Sequence, residues 1–199
     1  MFGKGINELI KLFNDAEEGF VNYNYAILQY TKVLEFVSQT VIRQEITTKA
    51  QNKLMSSRAL NPDANYIKEI ENLFLDFKQK YDTDRNAIKA TIRTCCDLFE
   101  IVDHAPKYLD RIIKLKENLL KEKSDKEKLV DSAFDLLTDS ISDTRNFLAH
   151  AKANYTLKGK ECPDEQKEYF VNMLKILSTQ AIRWFALTNE SARVLPIND

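Results

Sequence analysis

The apolar positions at the start of the chain recur with unusual regularity. Leu9, Phe13, Ala16, Phe20, Tyr23, Ile27, Tyr30, Leu34, Val37 and Val41 are separated by alternating steps of four and three, the spacing that lines one face of an α-helix. The pattern predicts a long N-terminal helix from about Ile6 to Ile46. At 1.5 Å per residue such a rod would be roughly 60 Å long, whereas a compact domain of this size has a radius of gyration of only about 16 to 17 Å. The helix must therefore break, with Gly19 and Asn22 as the weak points, or project toward a partner chain.

Further segments follow the same logic. Thr47 to Asn61 loses the periodicity and reads as a connector, and Pro62 suits the first turn of a second helix carrying Ile67, Ile70, Leu73, Phe74 and Phe77 on one face. Asp82 or Thr83 caps a third, "NAIKATIRTCCDLFEIV". A fourth runs from about Pro106 to Lys121. Ser124 and Glu127 form a capping box that opens a fifth helix through Val130, Phe134, Leu137, Ile141 and Leu148, which Gly159 ends. Pro163 begins a sixth, with Asp164 and Glu165 placed favourably for its dipole. No internal repeat or low-complexity tract interrupts the order. The expectation is an all-α protein, a helical bundle of about five to six helices forming a single domain over residues 1–199.

Composition agrees with the helical reading. Glycine and proline number four each among 199 residues, and low turn content favours helices. The net charge of −1 gives no support to a scaffold that holds nucleic acid by bulk phosphate neutralisation. Between Lys107 and Lys128 eight basic residues face five acidic ones, the composition of a solvated helix face. The cysteines, Cys95, Cys96 and Cys162, have no metal-site spacing. Charges interleave with the apolar residues of "MFGKGINELIKLF", unlike a signal peptide, and no apolar run reaches membrane-spanning length. These features lead us to expect a cytoplasmic protein with no membrane partner. No P-loop, dinucleotide fingerprint or zinc spacing is present, and no cofactor is expected.

The chain has two histidines. His104, beside Asp103 and just before Pro106, reads as a turn residue, and no serine or cysteine context makes either part of a triad. His150 is different. On an ideal helix it points about 130° from the centre of the apolar stripe on one side, and Arg145 about 90° on the other. Neither belongs to the core by periodicity. Asn146 precedes His150 by one turn on the same face, so its amide can orient the imidazole or bond a ligand hydroxyl. Arg145 and His150 diverge by about 140°, so their tips meet only through arginine's length, a local bulge or a neighbouring chain. Tyr25 lies off the first helix's stripe, where it is available to stack on a base.

The run "RNFLAH", Arg145 to His150, resembles the signature of the HEPN superfamily, an arginine followed by a polar residue and then a histidine. Asn146 occupies the polar slot. The resemblance covers this motif and the helical architecture. It implies a bundle of four or more helices, a homodimer with the two motifs facing across a cleft, and metal-independent endoribonuclease activity in a toxin or an antiviral-defence effector. It also implies an RNA substrate and an antitoxin or inhibitor protein as partner. In some toxin branches a tyrosine follows the histidine by two residues. Lys152 stands there in this chain and the nearest tyrosine is Tyr155, so Lys152 and Tyr155 are the RNA-binding candidates beside catalytic Arg145, Asn146 and His150. The residue types suit the chemistry: an imidazole with a pKa near 6.5 is acid or base at neutral pH, and a guanidinium fork fits phosphate oxygens. One histidine cannot conveniently serve both proton-transfer roles, and a two-fold dimer supplies the second. The alternative is a non-catalytic helical interaction or nucleotide-binding module.

Overall fold

In the computed structural model, which describes residues 3–19, 21–121, 125–150 and 155–194, the N-terminal periodic segment is two helices. α1 (Ile6–Glu18) ends at Gly19, and α2 (Tyr23–Leu54) begins behind Asn22, whose side chain accepts a hydrogen bond from the Tyr25 backbone N–H at 3.2 Å. The break falls where the sequence has its weak points, because glycine and asparagine both favour caps over helix interiors. α2 runs 32 residues, about 48 Å, and only its first two-thirds is buried.

The remaining helices are α3 (Ala64–Lys80), α4 (Asp84–Cys95), α5 (Leu98–Val102), α6 (Asp110–Ile113), α7 (Leu115–Leu119), α8 (Lys126–His150) and α9 (Lys167–Leu187). Among the described residues there are nine α-helices and no strand, more helices than the five to six expected. Besides the first, two of the expected helices are divided. Cys96 is extended, and the Asp97 carboxylate accepts the Phe99 N–H at 2.8 Å, restarting the chain as α5. Leu109, Ile112 and Leu115 are all buried. Their spacing of three walks around an α-helix by about 60° per step, so the chain breaks at Lys114 between α6 and α7 to keep all three inward. α9 starts four residues after Pro163, which instead opens a 3-10 turn over Asp164–Gln166. The capping-box serine, Ser124, lies outside the described residues; Asp125 caps α8 by accepting the Lys128 N–H at 3.2 Å.

α2 is the axis of the bundle, wrapped by α1, α4, α8 and α9. Ile27, Tyr30, Leu34 and Val37 are fully buried, as the periodicity predicts, and so are Ala26, Thr31, Val33 and Thr40 on its other faces. Surrounded on several sides, the helix buries hydroxyls as well, each with a partner: Thr31 donates to the Ile27 carbonyl at 2.8 Å. Side-chain bonds bind neighbouring helices to its backbone, Ser178 of α9 to the Tyr30 carbonyl at 3.2 Å and Thr91 of α4 to the Leu34 carbonyl at 3.2 Å. Buried apolar side chains from α1, α2, α4–α9 and Cys162 form one cluster. Among the described residues no helix is long and apolar enough to cross a membrane.

The last third of α2 carries α3 as an outrigger. Glu45 of α2 accepts hydrogen bonds from Lys49 at 2.8 Å, from Lys80 at 2.9 Å and from the Tyr81 hydroxyl. Burial alone would raise its carboxyl, but these bonds outweigh it and hold Glu45 at about 2, below its ordinary 4.5. A carboxyl depressed by folding stabilises the fold above its unfolded value and loses that contribution as pH falls through the folded one. Glu45→Gln should therefore be less stable than the parent at pH 7, and its stability should decline less steeply between about pH 4.5 and 2 in urea titrations. Parallel pH profiles would show that the Glu45 hydrogen bonds contribute nothing.

Candidate functional site at the end of helix α8

α8 lies antiparallel to α4, and charge fixes the register. Arg85, Lys89 and Arg93 recur every four residues on α4, and Asp131, Asp135 and Asp139 do the same on α8. Ion pairs join Arg85 to Asp135 and Asp139, Lys89 to Asp135, and Arg93 to Asp131. Burial opposes ionisation of Asp139, yet the hydrogen bonds and charges of Arg85 and Lys160 bring its carboxyl below the usual range. Partly exposed pairs of this kind each contribute little, but a ladder of them selects one register. That register carries the Arg145–His150 run to the end of the bundle where α2 and α9 begin.

The second half of α8 is more buried than its apolar stripe predicts. Ser140, Ser142, Asp143 and Thr144 are buried together with Leu137 and Ile141. The segment from Tyr155 to Cys162 covers this polar side. Thr144 accepts the Cys162 N–H at 2.8 Å, Lys158 pairs with Asp143 at 2.7 Å, and the Glu161 carboxylate gathers the backbone N–H groups of Lys158, Gly159 and Lys160 at 2.7 to 3.0 Å. Gly159 has φ +78°, the left-handed conformation this tight turn requires.

The motif residues are placed very differently from one another. Arg145 turns inward toward two carboxylates: Nε lies 3.3 Å from Glu35 of α2, and a terminal nitrogen 3.6 Å from Asp84 at the start of α4. The approach to Glu35 is too oblique for a hydrogen bond, and Glu35 Oε1 is buried without a hydrogen-bond partner among the described residues. Burial raises the Glu35 carboxyl above its ordinary value against the pull of Arg145, and the Asp84 charge adds to the rise. Asn146 turns its amide oxygen to Arg145, accepting from the guanidinium at 3.0 Å, so it orients the arginine and not the imidazole. His150 ends α8 exposed. Among the described residues no hydrogen bond or ion pair reaches it, and none joins it to Arg145.

Tyr155 is tied to the protein. Its hydroxyl donates to Glu161 at 2.9 Å and lies 3.2 Å from the Asp143 carbonyl, while its ring packs on Phe147 with centroids 5.8 Å apart. Burial, the Glu161 hydrogen bond and the neighbouring negative charges all push its phenol upward. The hydroxyl is thus committed within the chain. Lys152 lies outside the described residues. His104 falls in the turn after α5, its N–H donating to the Ile101 carbonyl at 3.0 Å. The three cysteines are free thiols, and burial pushes Cys95 and Cys162 up to about 12, too high for nucleophiles at neutral pH. No group of three or more metal-ligating side chains is assembled among the described residues.

A feature the periodicity did not reveal sits beside the motif. A cleft of about 510 Å³ opens between the N-terminus of α2 (Asn22, Asn24, Tyr25, Leu28), the last turns of α8 (Phe147, Leu148) and the entry to α9 (Asp164, Lys167). His150 follows Phe147 by one helical turn, about 4.5 Å along the axis. The signal in the sequence was the pair of helix starts, Asn22 and Pro163, whose convergence only the fold reveals.

No family model, curated protein or solved structure matches the chain.

Proposed function

We propose that the protein is a HEPN-type endoribonuclease, a toxin or antiviral-defence effector that cleaves RNA through a composite site formed by two copies of the chain. The observation that carries this reading is the position of His150: an imidazole with no hydrogen bond or ion pair among the described residues, exposed in the last turn of α8 and one turn from a cleft with aromatic walls. An imidazole so placed is free to take a proton from a 2′-hydroxyl or give one to the leaving 5′-oxygen. Two such ends brought together by a two-fold axis would provide both functions. In this reading Arg145 leaves Glu35 and Asp84 for a phosphate when substrate and the second chain arrive, and Asn146 guides its guanidinium.

A second reading, a non-catalytic helical interaction or nucleotide-binding module, is favoured by one specific observation. Arg145 already holds two carboxylates and an amide oxygen within its own chain, which is what a structural arginine does.

Arg145→Ala separates the two. For a ribonuclease we expect loss of cleavage of a labelled single-stranded RNA in both Arg145→Ala and His150→Ala, with light scattering showing a dimer in each. For a structural arginine the parent protein leaves the RNA intact, and Arg145→Ala only lowers the melting temperature. A parent protein that is monomeric at all concentrations and inert toward RNA would remove the ribonuclease proposal.

A further inference from the structure

We infer that the cleft between the starts of α2 and α9 and the end of α8 seats a nucleobase of single-stranded RNA, with Tyr25 as its stacking platform. The inference rests on the ribonuclease reading for its substrate, but on different residues.

Three features of the cleft point to a base with its phosphate and away from a purely apolar ligand. First, its walls offer ring faces. Tyr25, in the first turn of α2, is 41% exposed, and Phe147 faces the cleft from α8. The Tyr25 ring passes over Gly19, where an added Cβ would come within 2.2 Å of it, so the glycine permits the ring's position. Second, the polar groups leave a defined pattern. Asn22 Oδ1 is used by the Tyr25 N–H, and Asn24 Oδ1 accepts from the Lys167 ammonium at 2.6 Å. Both partners can only donate, so the amide orientations are chemically fixed, and each asparagine keeps its NH2 as the outward donor. Asp164, 88% exposed at its side chain, adds an acceptor beside them. Donors next to an acceptor match the edge of a base, whereas an aliphatic ligand would leave all of them unpaired. Third, two helix starts converge on the mouth. The N-termini of two long helices meet there, and the Lys167 side chain, only 11% exposed, lies between them against Asp164 at 2.5 Å. Asp164 neutralises that ammonium, so it is the two helix starts that favour an anion at the mouth. A nucleotide supplies the flat face, the patterned edge and the negative charge together.

The test uses the full chain carrying His150→Ala, so that cleavage does not consume the probe, and fluorescence anisotropy with 12-residue single-stranded RNAs and a duplex of the same sequence. Base stacking on one aromatic is worth about 1–3 kcal/mol, so adding Tyr25→Ala should weaken single-strand binding roughly 5- to 150-fold. Tyr25→Phe should retain binding, and duplex affinity should not change between variants. If Tyr25→Ala fails to fold, Leu28→Trp, which fills the cleft from within α2, should cause the same selective loss. Equal single-strand affinity with and without the Tyr25 ring, or with the cleft filled, overturns the inference even if the parent protein cleaves RNA. Conversely, Tyr25-dependent binding by a parent protein that never cleaves supports the cleft and removes the ribonuclease.

Discussion

His150→Ala is expected to lower the rate of RNA cleavage by about 10²- to 10⁴-fold, the usual contribution of a positioned acid–base group, while leaving the fold intact. The second half of that expectation makes the first informative. His150 is exposed on the final turn of α8 and has no hydrogen bond or ion pair among the described residues. Substitutions at such positions change stability by no more than about 0.5 kcal/mol. A loss of activity therefore cannot be assigned to unfolding, provided that the helical circular-dichroism signal and the melting temperature match the parent. Because both chains of a composite site contribute an imidazole, mixing an excess of the variant with the parent should also depress the parent's activity beyond simple dilution. Undiminished cleavage by the variant would leave the imidazole without a catalytic role.

Phe170→Ala should have the largest effect on stability, a loss of about 3–5 kcal/mol. Phe170 stands one turn into α9, fully buried, with its ring 6.3 Å from that of Tyr108. Tyr108 in turn reaches across to Ser140 of α8 at 2.5 Å. Removing the ring leaves a void where α9, α8 and the segment before α6 meet, and none of these can collapse without giving up a hydrogen bond. Native domains have only about 5–15 kcal/mol in total, and for a chain of this length each kcal/mol is worth about 2–4 °C. The melting temperature should fall by roughly 6–20 °C, read by calorimetry. A shift below about 2 °C would mean that the void is refilled and that the junction is softer than its packing indicates.

What the sequence made legible was the regular part. The steps of four and three mark a face buried at Leu9, Ala16, Ile27, Tyr30, Leu34, Val37 and Val41 and partly buried at Phe13 and Tyr23, with Phe20 outside the described residues, and the break falls at Gly19 and Asn22, because an amphipathic stripe needs only local spacing. The exposure of His150 off the α8 stripe also follows from angle alone, whereas Arg145, equally off the stripe, is half-buried against Glu35 and Asp84. Three things did not. The buried hydroxyls of Ser140 and Thr144 look like surface residues until Tyr108 and the Tyr155–Cys162 segment are folded against them. The ladder between α4 and α8 was present as spacing in two separate segments, but spacing does not say which helices are neighbours. Arg145's partners, Glu35 and Asp84, are more than 60 residues away in sequence, so nothing local announces them. The cleft beside His150 is likewise made by three segments distant in the chain, and such convergence is a property of topology.

The outrigger has a consequence for how the molecule opens. α3 buries only Tyr66 and Phe77, while Ile67, Phe74 and Leu75 on the same helix remain about half exposed. Free energy of opening tracks such burial, so α3 and the last turns of α2 should exchange their amide hydrogens well before the bundle around Tyr30 and Leu34. They should also be the first place a protease cuts, between Met55 and Asp63. The protein would then behave as two cooperative layers, a durable barrel of helices carrying the His150 end and a looser arm that can come and go without disturbing it.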